Sequence, residues 1–154
     1  AWGNPSIMAE SYQFNVQETT ATLAVWTGFG YFDLFVYDND VVSIEGNHEV
    51  VSIPVEIAAD INEQVRYFER QIARLLFPLS TMRGEFEEKL ESKNGKLEAL
   101  FKHGNQKALD ATFDPQTGLI EYKVTPNITM NFYELRALNA FVLRYENAIK
   151  TFTP

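Results

Sequence analysis

Val25-Trp26-Thr27-Gly28-Phe29-Gly30-Tyr31-Phe32-Asp33-Leu34-Phe35-Val36-Tyr37 is half aromatic from Trp26 onward. β-Branched and aromatic residues favour strands, and Gly28 and Gly30 supply turn chemistry between them. The stretch therefore reads as two strands of an antiparallel meander, Thr22–Trp26 and Tyr31–Tyr37. Successive strand side chains alternate faces, so Phe32, Leu34 and Val36 share one side and Tyr31, Asp33, Phe35 and Tyr37 the other. The first set reads as a plain core face. The second, aromatic with one acid, suits a partly exposed sheet or an interface. The competing expectation is that helices cover the second face and all of it is core.

Outward from this stretch the same pattern continues. Tyr12, Phe14 and Val16 alternate with polar residues, and Val41–Ile44 and Val50–Ile57 add further strands. Asp38-Asn39-Asp40 and Gly46-Asn47 read as turns, with His48 beside a hairpin tip. The period then changes. Asp60 and Glu63 have capping-box spacing, and Ile61, Val65, Phe68, Ile72 and Leu75 form one helical stripe that Pro78 closes. A second helix is expected from Ser80, with Met82, Phe86 and Leu90 inward and a Glu85–Lys89 pair outward. Asn94-Gly95 interrupts it, and a short piece through Leu97, Leu100 and Phe101 ends at Gly104.

In the last third, Ala108–Phe113 and Leu119–Val124 flank the turn formers Asp114-Pro115-Gln116-Thr117-Gly118, a hairpin signal. Asn131 and Glu134 have capping-box spacing, followed by the stripe Phe132, Leu135, Leu138, Val142, Tyr145 and Ile149. The expected fold class is α+β: an N-terminal antiparallel β-meander, central helices, a β-hairpin and a C-terminal amphipathic helix. Residues 8–154 read as a single domain without an internal repeat. Residues 1–7 read as an added or disordered N-terminus, with Met8 as a candidate start.

Composition narrows the function classes. An apolar fraction of 45% with 14% aromatic residues can fill the core of a 154-residue domain. Cysteine is absent, which removes disulfides, thiolate metal sites and thiol nucleophiles. No apolar run approaches the ~20 residues of a membrane helix, and Ala1–Ile7 lacks signal-peptide character. No membrane association and a cytoplasmic location are expected. The net charge of −8 is uneven: all 13 Lys and Arg lie at Arg66 or beyond. Before it stand Glu10, Glu18, Asp33, Asp38, Asp40, Glu45, Glu49, Glu56, Asp60 and Glu63. Such asymmetry bears on partners rather than on fold.

Chemistry-bearing motifs are sparse. His48 and His103 have no metal-ligand spacing, and Asp38-Asn39-Asp40 with Glu45 lacks the calcium-loop frame. No phosphate loop, nucleophile elbow or zinc-protease motif occurs. Catalytic, metal and cofactor residues are therefore assigned to none, and a non-enzyme is the leading expectation. Thr27-Gly28-Phe29-Gly30-Tyr31-Phe32-Asp33-Leu34 matches the RNA-recognition signature at Gly28, Phe29 and Gly30. Thr27 and Leu34 depart from it, and no helix precedes the motif as that fold requires.

The leading expectation is a protein-interaction, accessory or inhibitor module. It presents Trp26, Phe29, Tyr31, Asp33, Phe35 and Tyr37, with Asp38, Asp40 and Glu45, to a basic protein partner. The alternative is a single-stranded nucleic-acid binder. That function would stack bases on the aromatic strand and use Arg83, Lys89, Lys93, Lys96, Lys102 and Lys107 for phosphate, with a homo-oligomer able to bring them beside another subunit's aromatics. A further alternative is an enzyme whose carboxylates are assembled by folding.

Overall fold

The computed structural model describes residues 10–46, 49–75, 86–123 and 127–154. The chain is α+β, as its patterning indicates. Four strands, β1 (Glu10–Val16), β2 (Thr20–Thr27), β3 (Phe32–Asp38) and β4 (Val41–Gly46), form an antiparallel meander. A short β5 (Val51–Pro54) leads into helix α1 (Val55–Leu75). The same order then recurs: β6 (Phe86–Lys93), β7 (Lys96–His103), β8 (Gln106–Asp114), β9 (Leu119–Tyr122), β10 (Ile128–Met130) and α2 (Phe132–Thr151).

The two halves interlock through their fifth strands. The first sheet runs β1-β2-β3-β4-β10 and the second β6-β7-β8-β9-β5, so each half completes the other's sheet. Registers correspond as well. Tyr37 faces Ala21 in the first sheet, and Phe113 faces Leu97 in the second. Met130 pairs with Val42, and Ile53 with Ile120. Along the helices Asn62 and Asn139, Val65 and Val142, Glu69 and Glu146, and Ile72 and Ile149 recur at one separation of 77 residues. The chain is thus an internal structural repeat, contrary to the expectation of none.

Turn chemistry fixes the ladders. Asn39 and Asp40 both have positive φ, the backbone of a two-residue hairpin whose twist matches that of its strands. Asn94-Gly95 does the same between β6 and β7, with φ of 54° and 76°. This corrects the helices expected through Phe86, Leu90, Leu97, Leu100 and Phe101. Leu97, Ala99 and Phe101 are buried at a period of two, and Asn94-Gly95 joins two strands rather than interrupting a helix. Met82, Pro78, Glu85 and Val124 lie outside the described residues, as do Ala1–Ile7, Met8 and the Asn47-His48 tip.

Helix α1 also starts earlier than expected. Pro54 ends β5, and the Val55 amide donates to the Gly118 carbonyl, so Asp60 sits inside the helix rather than capping it. The stripe itself is as expected: Ile61, Val65, Phe68 and Ile72 are buried. The α2 capping box is present in full, with Glu134 N donating to Asn131 Oδ1 at 2.9 Å and Asn131 N to Glu134 Oε1 at 3.0 Å. Both helices pack on the inner sheet faces, shown by the Phe35–Phe68 and Phe101–Phe141 ring contacts at 5.9 and 6.0 Å. One hydrophobic core joins both halves.

Candidate functional site

The aromatic strand faces the opposite way from the leading expectation. Tyr31, Asp33, Phe35 and Tyr37 are buried, so they belong to the core and offer no surface. The physical reason is the paired helices, which cover this face. Phe32, Leu34 and Val36 point outward instead and remain partly exposed. Thr27 Oγ1 accepts from the amides of Phe29 and Tyr31, closing the turn with Gly30 at φ +91°. Phe29 therefore sits in an exposed loop, while Tyr31 points into the core. The two cannot form one stacking platform.

What remains outside is an apolar strip on the first sheet. Cross-strand pairing sets Trp26 beside Phe32, Ala24 beside Leu34, and Thr22 beside Val36. Leu34 in turn adjoins Glu45, and Val36 adjoins Ser43. Trp26 is 38% exposed. Asp38 and Glu45 are exposed at the edge of the strip, and Asp40 lies in the adjoining turn. Among the described residues of this face there is no Lys or Arg. Of the residues singled out from sequence, Trp26, Asp38 and Glu45 meet here. Ala24, Phe32, Leu34 and Val36 were missed, because alternation tells which residues share a face but not which face helices cover.

The lysines stand elsewhere. Lys89 and Lys93 on β6 and Lys96 and Lys102 on β7 lie on the outer face of the second sheet, among Glu87, Glu91 and Glu98. Lys89 pairs with Glu91 at 3.2 Å, and Lys107 with Asp110 at 3.7 Å. Arg83 lies outside the described residues. The lysines are thus on a sheet face interleaved with acids, and the exposed aromatics are on another sheet.

Beneath the strip is a buried polar cluster. Tyr31 donates to Asp33 Oδ2 at 2.5 Å, and the Tyr31 and Tyr122 rings meet edge-on at 5.5 Å. Burial, then the Asp33 charge, pushes the Tyr31 phenol well above its ordinary range. Burial and the Glu146 charge raise Tyr122, against which a hydrogen bond with Asn62 acts. Both phenols stay neutral at physiological pH, and Tyr31 serves as a fixed donor that solvates a carboxylate otherwise costly to bury. Around them is a cavity of about 50 Å³, room for water rather than for a substrate.

Across the helices, Asn139 donates to Glu69 at 2.8 Å and Arg66 to Glu146 at 2.8 Å. Glu69 and Glu146, the two acceptors, occupy corresponding positions of the halves. Among the described residues no group of three or more His, Asp or Glu has metal-binding geometry, and no helix is long and apolar enough to cross a membrane. No family model, curated protein or solved structure matches the chain.

Proposed function

We propose that the protein is a non-catalytic interaction module that docks a basic protein partner on the outer face of its first sheet. The observation carrying this reading is the apolar strip Ala24, Trp26, Phe32, Leu34 and Val36 edged by Asp38 and Glu45. The strip supplies desolvated contact area, and Trp26 and Phe32 are the kind of rigid aromatic anchor that dominates interface energetics. The acids steer a cationic partner and disfavour phosphate. The function first expected of Tyr31, Phe35 and Tyr37 thus passes to their outward neighbours.

Nucleic acid is the reading to test against. Fluorescent oligo-dT is titrated at low salt while label anisotropy and Trp26 emission are followed. No binding is expected. Salt-sensitive binding lost on Lys89→Glu or Lys96→Glu overturns the proposal. The positive arm is a photo-crosslinking residue at Leu34, compared with one at Leu100 on the second sheet. Leu34 is expected to capture a basic protein whose yield falls on Asp38→Lys or Glu45→Lys. Equal capture at both positions, or indifference to charge reversal, counts against it.

A further inference from the structure

A cavity of about 410 Å³ lies between the first half of α1, the last half of α2 and the inner face of the second sheet. Helix α1 contributes Val55, Ala58 and Ala59, the sheet Phe113 and Ile120, and α2 Ile149. The polar groups around it are already engaged. Tyr145 donates to the Leu97 carbonyl at 2.9 Å, Glu146 accepts from Arg66, and Asn62 bonds with Tyr122. Exposed Glu56 and Lys150 stand at the rim with opposite charge.

The internal repeat supplies a control for this cavity. The residues corresponding to Val55 and Ala58 are Phe132 and Leu135, and those corresponding to Phe113, Ile120 and Ile149 are Tyr37, Val42 and Ile72. All five of these counterparts are buried at 4% exposure or less. One frame is thus closed by a phenylalanine and a leucine in one place and left open by valine and alanine in the other. Protein interiors pack to the density of organic crystals, so an opening of this size is more than a packing remainder. Its volume and apolar lining are those of a small-molecule site.

We propose that this cavity binds an uncharged, predominantly apolar small molecule of one or two rings. The lining sets the apolar character, and the volume sets the size. Neutrality follows from the rim, where Glu56 and Lys150 offset each other, and from interior polar groups that already have partners. The site is separate from the outer face of the first sheet, so it stands independently of the interaction reading.

The full chain is titrated with the uncharged fluorophore phenylnaphthylamine, in the wild type and in Ala58→Leu and Leu34→Lys. The wild type is expected to show saturable single-site binding with blue-shifted emission. Ala58→Leu imports the leucine of the other half; it should weaken binding by about tenfold or more without lowering Tm. Leu34→Lys, on the outer face of the first sheet, should leave binding unchanged. If Ala58→Leu does not fold by circular dichroism, Ala59→Leu is read in its place with the same expectation. The proposal is overturned by a wild type without saturable binding, by a folded filling variant of undiminished affinity, or by loss of binding in Leu34→Lys.

Discussion

Residues 10–75 and 86–151 build the same ladder of strands and the same crossing helix, yet they present opposite outer faces to solvent. In the first half the outward cross-strand pairs are Trp26–Phe32, Ala24–Leu34 and Thr22–Val36. In the second the corresponding β7–β8 pairs are Lys102–Lys107, Leu100–Asp110 and Glu98–Thr112. The second half demonstrates that this topology folds with a charged outer face. An apolar face on the first is therefore not something the fold demands, and a contiguous, partly exposed apolar strip calls for a functional reason. The same logic applies inside, where Leu135 fills a place that Ala58 leaves open.

The comparison can be broken most severely by cutting it in two. Because β5 completes the second sheet and β10 the first, a half alone leaves its fourth strand with a bare edge and its helix without a partner. A chain ending at residue 80 and one starting at residue 81 are each expected to remain unfolded or aggregate. Co-expressed, they are expected to co-purify as a folded pair. A first half that gives cooperative unfolding by itself would show that the halves are independent.

Next in size is the interior difference. Leu135 is fully buried, so Leu135→Ala should cost about 2–5 kcal/mol, from lost transfer and the cavity left behind. Urea unfolding checks it, and a cost under about 1 kcal/mol would mean that the two places pack alike and that the contrast with Ala58 is empty.

Alkaline pH probes a feature shared by both halves. Burial raises Tyr31 and Tyr37 in the first and Tyr122 and Tyr145 in the second. A phenol whose folded pKa lies above its unfolded value near 10 stabilises the fold fully below that value. The contribution is lost as pH rises toward the folded pKa. Tm is therefore expected to be insensitive to these groups through neutral pH and to fall from about pH 10 upward. Tyr31→Phe should blunt that fall. A Tm unchanged to pH 11 would contradict the burial of these phenols.

Much of this architecture is legible in the sequence, for local reasons. The first meander, the Asp114–Gly118 hairpin and α2 with its Asn131–Glu134 cap each rest on contacts within a few residues. The second meander was obscured because Phe86, Leu90, Leu97 and Phe101 fall at spacings of four and seven. That spacing suits a helix, while the two-residue alternation of Leu97, Ala99 and Phe101 suits a strand. Asn94-Gly95 is the strongest short hairpin signal in the chain and sets the turn between β6 and β7. The repeat hides because residue identity survives mainly along one helix face, at Asn62, Val65, Glu69 and Ile72 and their counterparts. The candidate site was half legible. Its acids and Trp26 were found, but the side of β3 that carries it depends on where the helices pack, which is long-range information.

The gentlest test separates function from stability on that strip. Leu34 lies on the outer face of β3, only partly buried, between Ala24 and Glu45 across the ladder. Exposed lysine side chains are tolerated on the outer face of the second sheet, at Lys89 and Lys96. Leu34→Lys should therefore change stability by no more than about 0.5–1 kcal/mol, the usual range for a surface position. It should nonetheless remove partner capture, because it places a cation at the centre of the surface proposed to receive one. Tm and crosslinking yield measured on the same preparation make the comparison. A large fall in Tm would mean that the strip is structural core, and the argument drawn from the charged face of the second sheet would fail with it.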